Sequence, residues 1–208
     1  MTKLPPIYCI TLPQTPSRTK WASEQFKRLQ LPAVFFNGIH GNTFGLESRY
    51  VYNYEPSPNP HSSISSGHIG LILSHYMLWT HLLHAGVEEA LILEDDAIFC
   101  AHFASVFEEY YCQLPADWNF CHVGHVGIEN KPTVPINDKI IKANFPFGTH
   151  AYLVKRDALP VLIETNHLAW GPLDIQIGCR SFNRLNYYSF KDSIINQHTA
   201  QGNWAPST

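Results

Sequence analysis

The stretch ALILEDDAIF, residues 90–99, decides how the rest of the chain is interpreted. Four apolar residues are followed by Glu94, Asp95 and Asp96, and apolar residues then resume. A continuous apolar run of this length is typical of a strand buried on both faces, as in a parallel sheet covered by helices. In open α/β folds, ligands bind at the edge formed by the carboxyl ends of such strands. The stretch therefore predicts an α/β fold with an acidic site at the end of a central strand.

The spacing of the three acids suggests a metal site. As long as the chain stays extended, Glu94 and Asp96 project to one side of the strand and Asp95 to the other. Two carboxylates on one side supply hard oxygen ligands, which suit Mg²⁺ or Mn²⁺ bound to a phosphate. An acidic turn that faces solvent is the alternative that the triplet alone leaves open.

The composition is that of an ordinary globular protein. Hydrophobic residues make up 45% and charged residues 15% of the 208 residues, and we predict a single domain over residues 1–208. The net charge of -3 and the lack of a Lys/Arg cluster in the sequence give no reason to expect a nucleic acid partner.

The cysteines and the first residues bear on the cellular compartment. The five cysteines include no CxxC pair, and such an odd, widely spaced set is typical of reduced thiols in a cytosolic protein. The segment from Met1 to Ile10 has no long apolar run, so no signal peptide is evident. No apolar run in the sequence approaches the ~20 residues that span a bilayer. We therefore expect a cytoplasmic protein.

Local patterns predict alternating strands and helices. Strands are predicted at residues 7–12, 33–36, 90–93, 120–124 and 148–154, and helices at 18–29, 103–111 and 156–165, with a short one from Pro172. A longer helix of about eighteen residues begins at Ser65 or Ser66 and ends at Gly86. Residues 41–66 and 128–139 are predicted as loops, and residues 199–208 as a frayed tail.

Buried polar residues raise the question of further ligands. The long helix carries a wide apolar stripe, so Ser74 and His75 on it must be hydrogen-bonded to protein, water or a ligand. A structural role is favoured over metal ligation for such a histidine. His122 and His125 are three residues apart, as zinc ligands often are, but no Cys or His pair stands near enough in sequence to complete a four-ligand set.

Taken together and in order, these stretches resemble glycosyltransferase family 25, which includes bacterial lipooligosaccharide galactosyltransferases and animal enzymes that galactosylate collagen. The matching segments are IYCITL at 7–12 with Arg18, NG at 37–38, GHIGL at 67–71 with Ser74, His75 and Trp79, LILEDD at 91–96, GT at 148–149 with AY at 151–152, and Asp174. The similarity extends from about residue 6 to 198. Its most specific part is the Ser-His helix followed by Glu-Asp-Asp.

The resemblance implies a GT-A-type, Rossmann-like domain whose mostly parallel central sheet is flanked by helices. It also implies a metal-dependent, inverting transferase that moves a hexose from a nucleotide-diphospho-sugar, with UDP-galactose as the commonest donor. The implied acceptor is a glycan or glycolipid of the lipopolysaccharide type. His68 stands where many relatives have an acidic residue, and this difference bears on the acceptor more than on the donor.

Roles for individual residues follow from these expectations. The metal, Mn²⁺ or Mg²⁺, is assigned to Glu94 and Asp96, with His198 as a third ligand. The resemblance places Asp174 in the site as the general base, and Glu129 is the second choice. Donor contacts are assigned to Thr11, Leu12, Pro13, Arg18, Asn37, Gly38 and Asp95, with Ser74 and His75 supporting the sugar or the site.

Two other functions remain open from the sequence. A metal-dependent phosphohydrolase could use the acidic triplet, but such sites need several carboxylates and histidines from different loops, and one acidic cluster is visible. A non-catalytic domain that binds a nucleotide-sugar or a glycan is the other alternative, since fold does not guarantee activity. If the acceptor is lipid-linked, the chain must meet the inner face of a membrane by peripheral contact, although no polybasic helix is present in the sequence.

Overall fold

The structure is a computed structural model, and it describes residues 4–44, 65–127, 132–143, 147–169 and 171–198. The strands are β1 (Ile7–Thr11), β2 (Ala33–Asn37), β3 (Glu89–Glu94), β4 (Ala97–Phe99), β5 (Phe120–Val126), β6 (Thr133–Pro135), β7 (Ile140–Ala143), β8 (Phe147–Lys155), β9 (Tyr187–Phe190) and β10 (Ile195–Gln197). The α-helices are α1 (Pro16–Arg28), α2 (Ser66–His84), α3 (Phe103–Tyr111), α4 (Leu159–Thr165) and α5 (Leu173–Gln176). Short 3₁₀ or π-helical turns follow β2, β8 and α5.

Eight strands form one mixed sheet in the order β2-β1-β3-β8-β5-β9-β7-β6. The pairings of β1 with β2, of β1 with β3 and of β5 with β9 are parallel, and the others are antiparallel. Only β7 and β8 run against the common direction of the other six strands, so the prediction of a mostly parallel central sheet is confirmed. The carboxyl ends of β1, β2 and β3 consequently meet at one edge of the sheet.

Helices cover both faces of the sheet, as the apolar run in β3 predicts. Ala90 and Ile92 face the core beneath α2, α4 and α5, whereas Leu91 and Leu93 face the core beneath α1 and α3. All four side chains are almost completely buried. The sheet is therefore the middle layer of an α/β/α arrangement, and the first acidic residue appears where this burial ends.

The long helix α2 agrees closely with its prediction. The side chain of Ser65 accepts a hydrogen bond from the backbone N–H of His68 and caps the first turn. After the last turn, Gly86 has a φ of 67°, a left-handed conformation that suits glycine at a helix end. None of the helices in the part of the chain that the structure describes has the length and apolar character that crossing a bilayer requires.

Five short strands, β4, β6, β7, β9 and β10, are missing from the sequence prediction. Residues 128–139 were predicted as a loop, yet β6 lies within them and pairs with β7. Strands β7, β9 and β10 have three or four residues each. Apart from the pairing of β6 with β7, the partners of these strands are far away in the sequence, so local periodicity carries little information about them. Residues 45–64 of the loop predicted at 41–66, and the tail predicted at 199–208, lie outside the described residues.

A separate two-stranded ribbon of β4 and β10 lies next to the acidic turn. The two strands are antiparallel, and Ala97 is paired with Gln197. Just beyond this ribbon, the backbone N–H of His198 donates to the carbonyl of Asp96 over 2.9 Å. The last described residues therefore hold the segment that follows the central strand.

Candidate active site

A cleft of about 400 Å³ opens at the edge where the carboxyl ends of β1 and β3 meet. It lies between the acidic end of β3, the first turn of α2 and the segment that follows β2. The residues lining it are Ile10, Leu12, Arg18, Ile39, His40, Gly41, Asn42, Ser65, Ser66, Gly67, His68, Leu71, Ser74, Glu94 and Asp95. This is the position at which open α/β sheets bind ligands.

One wall of the cleft exists because α2 presents small residues to the segment after β2. Ser74 Oγ accepts a hydrogen bond from the backbone N–H of Ile39 over 2.7 Å and donates to the carbonyl of Gly70 over 2.6 Å. A Cβ at Gly70 would lie 2.5 Å from the carbonyl oxygen of Ile39 and 2.7 Å from the backbone nitrogen of Gly41. The helix can approach this closely only because residue 70 has no side chain. Ser74 therefore supports the cleft wall through backbone contacts.

A Gly70→Ala variant is expected to lose about 1–3 kcal/mol of unfolding free energy, as overpacking typically does. The clashing atoms belong to the backbone, so no side-chain rotation relieves the contact. Urea denaturation measures the loss. Gly67→Ala, in the first turn of the same helix, is the matched control, since its Cβ would meet only Ser65 Oγ at 3.6 Å. That control is expected to be neutral or stabilising, and equal losses in both variants would contradict the close-contact explanation.

The acidic residues do not keep the extended geometry that their spacing suggested. Strand β3 ends at Glu94, and Asp95 and Asp96 form a turn before β4. Arg18 Nη2 forms an ion pair with Asp95 Oδ1 and lies 3.5 Å from Asp96 Oδ2. The placement of Glu94 and Asp96 on one side of an extended strand therefore does not hold. Glu94 and Asp95 line the cleft together, and Asp96 is buried beside Gln197, whose amide donates to Asp96 Oδ2 over 3.1 Å.

Asp95 is the acid best suited to receive a cation from the cleft. The residue as a whole is only 5% exposed, and its Oδ2 has no hydrogen-bond partner among the residues that the structure describes. Burial raises the pKa of Asp95 to about 6, although the nearby Arg18 guanidinium acts in the opposite direction. A carboxylate that has a buried oxygen without a hydrogen-bond partner, on a residue that lines the cleft beside Glu94, fits a hard divalent cation, which could take its remaining ligands from phosphate and water.

A third protein ligand is not preformed. Within the described segments, no three His, Cys, Asp or Glu side chains are grouped so that they could hold a metal ion. The His198 ring packs edge-on against Trp21, with 5.6 Å between ring centroids, and its backbone N–H donates to the carbonyl of Asp96 in the acidic turn. His122 and His125 likewise use ring nitrogens on backbone carbonyls. Metal binding therefore remains a prediction that rests on Glu94 and Asp95.

A buried chain of hydrogen bonds positions His75 behind Glu94. The Trp79 indole N–H donates to the Tyr152 hydroxyl oxygen over 2.8 Å, and that hydroxyl lies 2.8 Å from His75 Nδ1. The phenol has one proton, and His75 Nδ1 is the acceptor near it, so a neutral His75 carries its own proton on Nε2. That nitrogen faces Glu94 Oε1 at 3.6 Å. His75 is fully buried, so it can influence a donor only through Glu94.

Glu94 is held in its ionised form by this arrangement. The Thr149 hydroxyl on β8 donates to Glu94 Oε1 over 2.7 Å. Burial alone would raise the pKa of Glu94, but His75 and the Thr149 hydroxyl outweigh it, and the net shift of the pKa is downward. The site consequently offers a carboxylate rather than a carboxylic acid at neutral pH.

A smaller cleft of about 160 Å³ adjoins the first and contains Asp174. The two clefts share His68, Leu71 and Glu94 as lining residues. Asp174, in the first turn of α5, accepts hydrogen bonds from the backbone N–H of Gly148 over 2.9 Å and from that of Ile175 over 2.8 Å. Each carboxylate oxygen keeps a further lone pair. Glu129, the second choice for the base, lies outside the described residues.

His122 supports the strand that carries this part of the site. Its Nε2 donates to the carbonyl of Gly148 over 2.9 Å, and its Nδ1 faces the hydroxyl of Tyr187. Gly148 has a φ of 98°, which favours glycine, and its own N–H donates to Asp174. His122 and Asp174 therefore fix the same residue from its two sides. Burial and the neighbouring His125 lower the pKa of His122 to about 3.

The depressed pKa of His122 predicts a loss of stability in mild acid. An unfolded chain binds a proton at this ring below about pH 6.5, whereas the folded protein does not until far lower pH, so the stability falls as the pH falls through this window. Between about pH 7.5 and about pH 5 the ring contributes a loss of about 2 kcal/mol. Urea unfolding at both pH values measures this contribution. The unfolding free energy of wild type is expected to fall by about 2 kcal/mol more between the two pH values than that of His122→Gln.

The control for this measurement is His84→Gln at an exposed site in the last turn of α2. It is expected to follow the wild-type pH dependence. If His122→Gln also shows the wild-type pH dependence, His122 contributes nothing to it. The folded protein must then accommodate a charged imidazole at position 122.

The remaining predicted donor residues lie at the cleft edge or close behind it. Thr11 is buried, and its carbonyl accepts the N–H of Gly38 over 2.7 Å. Leu12 lines the cleft, whereas Pro13 and Asn37 are exposed and are not among its lining residues. A Cβ at Gly38 would lie 2.9 Å from Ser74 Oγ, so this glycine permits the close contact with α2.

The family model of glycosyltransferase family 25 (LPS biosynthesis protein) matches residues 4–175, which include both acids of the cleft and Asp174. The chain belongs to glycosyltransferase family 25. This confirms the resemblance on which the residue roles were based.

Two curated family 25 relatives show how far the similarity extends. A glycosyltransferase 25 family member of Drosophila melanogaster is 27% identical over 158 residues, which cover 71% of this chain and 26% of the relative. Human procollagen galactosyltransferase 2 is 22% identical over 171 residues, which cover 77% of this chain and 27% of the relative. The chain thus spans about a quarter of the length of these relatives.

The fold is also similar to that of a solved glycosyltransferase. The crystal structure of a glycosyltransferase involved in the glycosylation of the major capsid of PBCV-1 matches with a TM-score of 0.53 at 10% identity, and the match covers 93% of both chains. At this level of identity the similarity concerns the fold.

The sequence analysis gave no role to Thr149 or Gln197 of this family 25 site, and it considered His122 only as a zinc ligand. Thr149 and Gln197 contact acids that precede them by 55 and 101 residues, and His122 on β5 donates to Gly148 on the neighbouring strand β8. The one local signal was the Gly-Thr pair that begins β8, which the family resemblance included without assigning it a role.

Proposed function

We propose that this chain transfers a hexose from a nucleotide-diphospho-sugar to a hydroxyl group of a glycan or glycolipid, and that UDP-galactose is the first donor to test. The observation that carries the proposal is the pair of adjoining clefts. One contains a guanidinium, the first turn of a long helix and two carboxylates, and the other contains a single aspartate. The family supports transferase chemistry, and the name of the human relative suggests galactose.

The larger cleft suits the donor diphosphate. The helix dipole and the backbone N–H groups at the start of α2 favour negative charge. Arg18 lines the same cleft and can bind phosphate oxygens bidentately. Glu94 and Asp95 would hold Mn²⁺ or Mg²⁺, which when bound neutralises charge on the diphosphate leaving group. Asp96 supports the turn from behind, through its contacts with Arg18 and Gln197.

The smaller cleft suits the acceptor. Asp174 takes the proton of the attacking hydroxyl as general base, and two backbone N–H donors hold its carboxylate in place. Because Glu94 borders both clefts, the acceptor oxygen and the donor sugar meet there. Attack from the side opposite the leaving diphosphate inverts the anomeric centre, and positioning of the two substrates supplies a large part of the rate.

A screen of nucleotide-sugars by thermal shift tests this proposal. UDP-galactose with Mn²⁺ at about 100 times its Kd is expected to raise Tm by about 5–10 °C, since a ligand that binds only the folded state stabilises it. GDP-mannose, UDP-galactose in EDTA, and p-nitrophenyl phosphate are the comparisons. Transfer to a panel of glycosides then shows turnover.

Each outcome of the screen assigns a different function. A shift with UDP-galactose and the release of UDP in the presence of an acceptor support the transferase. A shift without product in either transfer or donor hydrolysis indicates the binding domain. No shift with any nucleotide-sugar contradicts the proposal. Cytoplasmic location and peripheral membrane contact remain predictions that this screen does not address.

A further inference from the structure

The pair of acids at the end of β3 already has a cation from the protein itself. Arg18, in the first turn of α1, forms an ion pair with Asp95 and lies 3.5 Å from Asp96 Oδ2. The Arg18 side chain is 27% exposed, whereas those of Asp95 and Asp96 are 7% and 3% exposed. The guanidinium therefore covers the acids from the cleft side and compensates two buried carboxylates that would otherwise repel each other.

A divalent cation and Arg18 cannot both bind Asp95 at full strength. A cation on Asp95 Oδ2 would lie on the same carboxylate that Arg18 holds through Oδ1. Two positive charges a few ångströms apart in a partly buried site repel strongly, more so than they would in water. Binding of the divalent ion must therefore weaken or break the contact with Arg18.

We infer that Arg18 is a resident counter-ion of the Asp95–Asp96 pair, which an incoming divalent cation displaces toward the donor diphosphate. This inference rests on the proposed function. Arg18 lines the donor cleft, so the released guanidinium remains next to the phosphates and can bind them with its planar fork. The same residue thus neutralises the acids in the empty site and the diphosphate in the filled site.

The exchange predicts that the donor and the cation bind cooperatively. UDP draws Arg18 away from Asp95 and opens the carboxylate to Mn²⁺, and by linkage Mn²⁺ increases the affinity for UDP by the same factor. Part of this coupling comes from direct contact between the ion and the phosphates, and that part does not need Arg18. The part of the coupling that depends on Arg18 disappears when a neutral residue replaces Arg18.

The test measures Mn²⁺ affinity directly, by electron paramagnetic resonance of the free ion and by calorimetry, without turnover. Arg18→Gln is expected to bind Mn²⁺ about tenfold more tightly than wild type in the absence of UDP, which is the scale of a charge-assisted contact. UDP is expected to increase Mn²⁺ affinity by a smaller factor in this variant than in wild type. Arg28→Gln, in the last turn of the same helix, is the matched control for net charge and is expected to bind like wild type.

If Arg18→Gln does not fold, a second variant provides the test. Arg18→Lys keeps the charge but cannot contact both acids with a planar fork, so its Mn²⁺ affinity is expected to lie between those of wild type and Arg18→Gln. In whichever variant folds, Mn²⁺ is expected to raise Tm by more than it does in wild type.

The outcomes separate this inference from the function on which it rests. If wild type binds Mn²⁺ and the folded Arg18 variant binds it equally or less tightly, the counter-ion role is overturned and the cation site stands. If neither protein binds Mn²⁺, with or without UDP, the proposed cation site is overturned and the counter-ion inference falls with it. If Arg18→Gln and Arg28→Gln both bind Mn²⁺ more tightly than wild type by the same factor, the change in net charge explains the effect. This result would also overturn the inference.

Discussion

An Asp174→Asn variant is expected to lose at least about 100-fold in kcat for sugar transfer, the lower end of what general-base catalysis contributes. Asparagine has nearly the same shape, and its oxygen can keep one of the two backbone N–H contacts that hold the aspartate. It cannot accept the proton of the acceptor hydroxyl. Asp174 lines the smaller cleft and not the larger one, so UDP affinity is expected to stay close to that of wild type.

Calorimetry with UDP and Mn²⁺ together with single-turnover kinetics checks both parts of this expectation. Asp157→Asn is the matched control, because Asp157 is exposed in the turn after the far end of β8. If Asp174→Asn binds UDP normally and retains turnover within a few-fold of wild type, another group takes the proton. If it loses UDP binding as well, the two clefts are not separate in the way that their lining residues indicate.

Asp95→Asn is expected to lower Mn²⁺ affinity by about 100-fold or more, since even residues that only support a metal ligand are worth 10- to 100-fold. The substitution removes the charge of the carboxylate whose second oxygen is buried at the cleft. Asp96→Asn is expected to cost about tenfold, because Asp96 lies behind the turn and supports it. Mn²⁺-dependent turnover is expected to fall in the same order.

This comparison distinguishes the cleft geometry from the assignment based on sequence spacing. The spacing made Glu94 and Asp96 the ligands, whereas the structure places Glu94 and Asp95 at the cleft. A larger loss in Asp96→Asn than in Asp95→Asn would restore the original pair. Asp157→Asn again serves as the control, and circular dichroism of each variant establishes that the fold is retained.

The fold could be predicted where the signals are local and long. The apolar run of β3 and the wide apolar stripe of α2 each fix an element by their own periodicity, and both agree with the structure. Strand β9 shows the limit of this approach. Its four residues are all buried, and its partners are β5 and β7, so its existence depends on pairings between distant segments.

The candidate site was predicted only in part, because its geometry also depends on contacts between distant segments. Asp174 and the acids after Leu93 were assigned to one site, and the structure brings Glu94 and Asp174 to adjoining clefts with a shared wall. The error in the acidic turn came from extending the strand geometry past Glu94, where the chain bends. His75 was expected to support the sugar or the site, and its complete burial favours the second role, as a support for Glu94. These features depend on tertiary contacts that spacing does not encode.

The ribbon of β4 and β10 also bears on how the protein is made. Asp96 and the amide of Gln197 that contacts it are 101 residues apart. At typical translation rates of about 5–20 residues per second, the ribosome adds the second about 5–20 s after the first. During that interval the nascent acidic turn lacks its hydrogen bond from Gln197, whereas Arg18 has already been synthesised. The guanidinium is therefore available to keep two carboxylates from repelling each other while the last part of the chain is still on the ribosome.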